Sequence, residues 1–447
     1  MIDSGDTAWV LVSAALVLLM TPGLAFFYGG LVRSSQVLNT IKMCFASLGI
    51  SAVLWAILGY SIAFGSGNAL IGGGQWLGLS GVGMEPNPDY ASTTPHFAFV
   101  VFQMMFAIIT PSLISGAVVG RMRFKAYIVF IAAWVLVIYA PLAHWVWGPG
   151  GWIAEMGALD FAGGTVVHVS AGVAALVAAA FVGRRRDARQ VNETPAHNVP
   201  FVILGASLLW FGWFGFNAGS ALAADGVAAL AVITTMLAAA GAVSTWMMLD
   251  LFRSGKPSLS GSAIAAIVGL VVITPAAGYV SPLSAIVMGS IGAIASYFTI
   301  ALIRRSRLDD TLDVFACHGV GGVVGSVLTG VFASTAINPA GADGLIAGSA
   351  SLLWNQIASV AAAGAFAAGG TAAILWIIRL FTPLRIPGGA ERAGIDVAEH
   401  NERAYSATWI AVAEDHPMND RPARHADHAQ IGSNGRARAR PQMETMS

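Results

Sequence analysis

The chain has 447 residues, 56% of them hydrophobic and 10% charged, and its formal net charge is zero. Soluble domains carry about 25% charged residues, so this composition, with a mean hydropathy of +0.71, excludes a soluble globular fold and gives a nucleic-acid role no electrostatic support. Apolar runs long enough to cross a bilayer recur along the whole length, which predicts an all-α polytopic membrane protein.

The chain opens "MIDSGDTAW". That segment has no basic n-region and no small-residue cleavage site, so the first span is expected to serve as its own insertion signal. Eleven spans are predicted: 7–32, 40–65, 96–120, 126–147, 161–183, 199–219, 226–252, 260–279, 281–303, 314–333 and 350–381. They make a transmembrane domain over 1–381. A cytoplasmic segment, 382–405, follows, and then a charge-rich tail, 406–447, expected to be disordered. Cys44 and Cys317 both fall in spans and have no disulfide or metal-ligand spacing.

Charge fixes the orientation. Arg33 and Lys42; Arg121, Arg123 and Lys125; Arg184, Arg185, Arg186 and Arg189; Arg253 and Lys256; and Arg304, Arg305 and Arg307 occupy alternate loops. Every other Lys or Arg lies at or beyond the end of the last span, and the intervening loops have none. By the positive-inside rule the N-terminus is outside and the C-terminus inside.

Two stretches carry ionisable groups into spans. "LDFAGGTVVHVS" has Asp160 and His168, and "LDDTLDVFACHGV" has Asp310 and His318 at the same spacing, with Asp313 competing for the role of Asp310. The motifs are five spans apart, so their helices run in opposite directions, as in an inverted repeat. Eight helical residues rise about 12 Å. Entering from opposite faces of a core about 30 Å thick, both imidazoles approach the midplane. An intramembrane ionisable residue marks function unless a local partner explains it, as a backbone carbonyl or serine would here. A histidine pair there suits a haem, a proton relay, or a narrow pore for a small polar solute. No second histidine pair supports haem, and few further acids or bases support a relay. Outer aromatics in "FVVFQMMFAIITP", "AHWVWG" and "GWFGFNAGS" form either an interfacial belt or a cation–π site. Asp160 serves there as a helix cap, as a bias toward cations, or as both.

With these motifs in hand, the sequence resembles the ammonium transporters of the Amt/Mep/Rh superfamily, the bacterial and archaeal Amt branch in particular. The likeness covers nearly all of 1–405. It rests on "TPGLAFFYGGLVR", "FQMMFAIITP", "AHWVWG", "ALDFAGGTVVH", "GWFGFNAGS", "GKPS", "GLVVITPAAGY" and "DVFACHGVGG" in that order. It implies an eleven-helix protomer with an inverted five-plus-five repeat, a homotrimer with one pore per subunit, and a cell-membrane location. The family's twin histidines fall on His168 and His318. Its outer ammonium site falls on Phe106, Trp147 and Ser220, its outer aspartate on Asp160, and its gate on Phe106 and Phe216. Further lumen positions fall on Phe27, Tyr28, Trp213 and Val314. Neither a cofactor nor a metal is implied. Ammonium, ammonia and methylammonium are the implied solutes, and the alternative is an ammonium sensor with little flux.

Two departures bear on regulation. Gly120 stands where an acid usually precedes the arginine, so a cytoplasmic salt bridge is expected to be missing there. In the segment 384–405, Gly388 and Gly389 replace acids and Asn401 replaces a glycine after His400. That segment normally couples subunits and helps to dock a PII-type signalling protein.

Overall fold

The computed structural model describes residues 1–186 and 196–405, and Met1–Ala404 form one compact unit. Arg189 and the tail 406–447 lie outside the described residues. Among those described, ten helices are long and apolar enough to cross a membrane: α1 (Ser4–Leu31), α2 (Ser34–Phe64), α3 (His96–Val118), α4 (Phe124–Glu155), α5 (Gly164–Val182), α6 (Val199–Ala221), α7 (Gly226–Ser254), α9 (Pro282–Arg305), α10 (Phe315–Phe332) and α11 (Ser351–Phe381). The remaining apolar helix, α8 (Leu259–Ile273), has 15 residues. The helix thus ends six residues before the expected span 260–279 does. The run "VVITPAAGY" stays apolar, but Pro275 brings no N–H, and 274–280 continues as turns.

Helix ends follow local chemistry. Asp3 caps α1 through the N–H groups of Gly5 and Asp6. Asp225 caps α7 through Val227 and Ala228, and Ser258 caps α8 through Gly261. The loop before α3 holds a small antiparallel hairpin, β1 (Pro86–Asn87) with β2 (Ala91–Pro95).

Small residues set how closely the helices pack, as the composition predicts. A Cβ on Gly205 of α6 would stand 2.2 Å from the Phe27 nitrogen of α1, and one on Gly289 of α9 would stand 2.0 Å from the Ala238 carbonyl of α7. Where α5 crosses α10, a Cβ on Gly172 would stand 2.1 Å from the Gly319 nitrogen. Both crossing helices open with π-helical turns, Gly164–Val169 and Phe315–Val320. The residues between Asp160 and Gly164 are not helical. The expected uninterrupted eight-residue helical rise from Asp160 to His168 is therefore replaced by a bend and a π turn.

On the face with the basic loops, Arg121 is fully buried. Its guanidinium donates to the carbonyls of Gly183 (2.7 Å) and Asp309 (2.5 Å) and to the Thr311 hydroxyl (2.6 Å). Among the described residues these three oxygens are its hydrogen-bond partners. The segment after α11 folds into two short helices, α12 (Gly388–Ala393) and α13 (Ile395–His400). Asp396 accepts from the Leu38 and Asn39 N–H groups at 3.1 and 2.8 Å, and Glu399 accepts from the Phe124 N–H. Glu391 binds Arg385 at 2.7 Å.

Candidate functional site: a ring-lined path to a buried histidine pair

The site is a column of rings assembled from α3, α4, α5, α6 and α10. At its outer end a vestibule of about 190 Å³ is lined by Phe64, Asp89, Tyr90, Phe99, Gln103, Phe106, Trp147, Phe161, Ser220 and Leu222. The Trp147 ring meets Phe106 edge-on at 6.1 Å. Its Nε1–H donates to the Asp160 carbonyl (2.9 Å), which leaves the ring body facing the vestibule. Ser220 lies in the last turn of α6, and its hydroxyl donates to the Phe216 carbonyl at 2.9 Å. The lone pairs of that hydroxyl stay available as acceptors.

Below the vestibule Phe106 and Phe216 lie 4.4 Å apart, both buried, and close the route. Phe216 stacks on His168 at 5.9 Å, and Trp213 stacks on it at 5.4 Å. Trp213 is fixed by its Nε1–H, which donates to the Thr274 hydroxyl at 3.0 Å. The two histidines then meet, Nδ1 to Nδ1, at 3.3 Å. At that distance one Nδ1 carries the hydrogen and the other accepts it. Among the described residues His168 Nε2 has no hydrogen-bond partner. Both rings line a lumen of about 10 Å³, the threshold for one water-sized molecule, with Met20, Leu24, Phe27, Ile109, Leu113, Val167, Leu209, Trp213, Phe216 and Ile267.

The other expected lumen residues sit nearby but do not line this lumen. Tyr28 packs on Phe27 and donates its hydroxyl to the Leu113 carbonyl at 3.1 Å. Val314 is buried against the Gly116 position, where Tyr28 also arrives.

Asp160 does not line the vestibule. Its carboxylate accepts from the N–H groups of Gly163, Gly164, Thr165 and Val166 at 2.6–3.1 Å, so it caps the π turn that carries His168. Burial pushes this carboxyl up to about 6, against the pull of those four N–H groups. Asp310 is its counterpart ahead of α10, accepting from the Phe315 N–H at 2.7 Å. Asp313 plays another part: it takes a left-handed φ of 57° and pairs with Arg304 at 3.0 Å. Both aspartates line the vestibule of about 270 Å³ on the basic face.

Sequence reasoning missed Gln103 and the aliphatic lumen residues. Gln103 lines the outer vestibule with its Oε1 buried and, among the described residues, without a hydrogen-bond partner. As the lone amide in "FVVFQMMF" it could have been picked out. Leu113, Leu209 and Ile267 could not, because every span is rich in such residues.

A sequence model described as "Ammonium Transporter Family" matches residues 8–405. The chain is 48% identical over 402 residues to an ammonium transporter of Bacillus subtilis, covering 90% of this chain and 98% of that one. It is 42% identical over 405 residues to ammonium transporter Amt1 of Archaeoglobus fulgidus, covering 90% and 100%. The crystal structure of Candida albicans Mep2 superimposes with a TM-score of 0.83 at 34% identity, over 94% of this chain and 93% of that one.

Proposed function

The chain belongs to the ammonium transporter family, a family of multi-pass membrane proteins, and from that premise we propose that it carries ammonium across the cell membrane as ammonia. The observation that carries this reading is the unbroken run of ring contacts from Trp147 through Phe106, Phe216 and His168 to His318.

Ammonium is first held in the outer vestibule. A small cation against Trp147 and Phe106 gains about 0.5–2 kcal/mol from the ring quadrupoles, and Ser220 accepts one of its N–H bonds. Below this point there is no room for a hydration shell, and a bare cation in an apolar lumen is strongly disfavoured. Ammonium therefore gives up its proton, to water in the vestibule, above or at the Phe106–Phe216 gate. Neutral ammonia passes, one molecule at a time, along His168 and His318, whose unpaired ring nitrogens exchange hydrogen bonds with it. Methylammonium fits the same recruitment chemistry.

The family likeness and the alternating basic loops support an eleven-helix protomer with an inverted repeat, N-terminus outside and C-terminus inside, working as a homotrimer. The docked segment 382–405 supports a regulatory role, with a PII-type protein as its partner and 406–447 as a separate tail. The test is substrate-induced current and methylammonium uptake measured in the same proteoliposomes. Uptake supports the transporter reading, and its ratio to charge reports whether the proton follows. Ammonium binding without flux overturns that reading in favour of a sensor.

A further inference from the structure

The outer vestibule holds a carboxylate that the pore column does not use. Asp89 lines it alongside Gln103, Trp147 and Ser220, and among the described residues no other acid does. Asp89 stands in the turn between β1 and β2, where its N–H donates to the Asn87 Oδ1 at 3.1 Å. Tyr90, the next residue, ties that turn to the vestibule wall. Its ring stacks on Phe99 at 5.1 Å, and its hydroxyl accepts from the Trp76 Nε1–H at 2.9 Å and donates to the Phe64 carbonyl. Phe99, Gln103 and Phe106 follow one another at helical spacing along α3, which runs inward from His96. Asp89 therefore sits beside the outermost of three rungs, and Gln103 lies one turn above Phe106 of the gate.

The charge of Asp89 is not cancelled. The residue is exposed, and among the described residues its carboxylate has neither a hydrogen bond nor an ion pair. The loops of this face, 67–95, 148–159, 220–225 and 334–349, contain Glu85, Asp89, Glu155, Asp225 and Asp343 and neither Lys nor Arg. Asp225 caps α7, Asp343 accepts from Thr335, and Glu85 and Glu155 do not line the vestibule. One unneutralised charge in a concave, ring-walled opening focuses its field into the cavity and raises the local concentration of cations. Deeper in, the buried Oε1 of Gln103 has no hydrogen-bond partner among the described residues. A buried acceptor left unbonded is unfavourable, and ammonium, which only donates, is the kind of solute that satisfies it.

We propose that Asp89 is the cation collector of this vestibule, the part the sequence offered to Asp160, and that ammonium drawn in by it bonds to Gln103 Oε1 on its way to Trp147 and Phe106. The proposal rests on the reading of the vestibule as the site that recruits ammonium. It divides the labour of that site. The rings hold any small cation that arrives, and the hairpin carboxylate sets how often one arrives. A divalent cation is not the occupant this arrangement suits, because calcium takes six to eight oxygen ligands and magnesium six, and the vestibule offers one carboxylate, one amide and one hydroxyl beside its phenol and rings. Nor does the turn itself require an acid at 89, since an asparagine serves a turn equally well. The charge is thus separable from the fold of the hairpin.

The experiment measures methylammonium uptake against concentration for the full-length protein in one lipid mixture, at about 0.01 M and about 0.3 M choline chloride, where the Debye length falls from roughly 30 Å to about 6 Å. Asp89→Asn should raise the half-saturating concentration about 3- to 10-fold at low salt, the effect of one partly screened charge, and more than it lowers the saturating rate. It should also remove most of the salt dependence that the wild type shows. Asp89→Glu keeps the charge and should restore both. Glu85→Gln removes the same charge from the same loop outside the vestibule and should match wild type. Gln103→Leu should raise half-saturation about tenfold at both salts, because it removes a hydrogen bond to a charged group. An unchanged Asp89→Asn, an equal shift in Glu85→Gln, or no rescue by Asp89→Glu overturns the collector, and an unchanged Gln103→Leu overturns the amide contact. Calorimetric titration of ammonium chloride into the same proteins in detergent keeps the two readings apart. Asp89-dependent binding there, in a chain without flux, supports the collector and counts against the transport reading alone.

Discussion

The crossing of α5 and α10 permits a sharp test, because it is made of backbone. A Cβ added at Gly172 would lie 2.1 Å from the Gly319 nitrogen, 2.3 Å from its Cα and 3.0 Å from the His318 carbonyl carbon. No side chain can swing aside. To reach ordinary contact at 3.4 Å the helices must part by about 1.3 Å, and Gly319 directly follows His318. The 3.3 Å contact between the imidazoles would then open past 4 Å, beyond hydrogen-bonding reach. Gly172→Ala is therefore expected to cost about 1–3 kcal/mol of stability, as overpacking does. Methylammonium uptake in proteoliposomes should fall on the order of tenfold to a hundredfold, as for a 1 Å misplacement at a reacting centre. Gly369→Ala, on the same kind of helix but with nothing within 4 Å, is the control and should match wild type. Wild-type uptake and an unchanged melting temperature for Gly172→Ala would refute the argument that this crossing holds the pair together.

His168→Ala should change rate or selectivity more than folding, read as uptake against melting temperature in one preparation; failure to assemble would mean that the ring is mainly structural. Trp147→Leu should raise the ammonium concentration for half-maximal uptake about 2- to 30-fold, the worth of one cation–π contact, with the saturating rate less affected; an unchanged concentration dependence would count against recruitment by that ring. Burial alone would raise the Asp309 carboxyl, but the hydrogen bonds and charge of Arg185, with the charge of Arg121, hold it below its usual range. A depressed carboxylate contributes stability that is complete above its unfolded value, about 4, and is lost as pH falls through the folded value. Melting temperature in detergent should thus be flat from about pH 5 to 8 with respect to this group and fall in acid, and Asp309→Asn should be less stable at pH 7 and lose that part of the acid dependence.

The large features were legible because each rests on a strong, local signal. Span existence follows from apolar length, and the alternation of basic loops from where Lys and Arg stand. The pairing of His168 with His318 was readable from equal spacing and opposite helix direction. What could not be read depends on backbone detail. Asp310 and Asp313 are equivalent as letters, and only the left-handed turn at Asp313 sends one to Arg304 and leaves the other at the Phe315 N–H. The end of α8 hid inside an apolar window because hydropathy does not register a missing N–H at Pro275. Gly388 looked like a lost acid. In the structure a Cβ there would stand 2.3 Å from the Arg186 guanidinium carbon, the end of a flexible side chain that is 58% exposed, so a side chain at 388 requires that guanidinium to shift. Arg186 also lies 3.8 Å from Glu391. The docking of 382–405 is therefore built from different contacts than an acid at 388 would supply.

The two π turns explain why equal spacing was informative even though the helical reasoning behind it was not right in detail. A π turn widens the helix by one residue and shifts the side chains that follow. Such turns sit under both histidines, each introduced by a buried aspartate that accepts from N–H groups at the turn's start. Asp160 and Asp310 thus hold, through backbone N–H groups, the turns that carry the imidazoles. On this argument Asp160→Asn keeps one acceptor oxygen for four donors and should misdirect His168 without altering the outer vestibule. Transport at saturating ammonium should fall, while the concentration dependence set by Trp147 stays near wild type. A change confined to that concentration dependence would return Asp160 to the role of a cation collector.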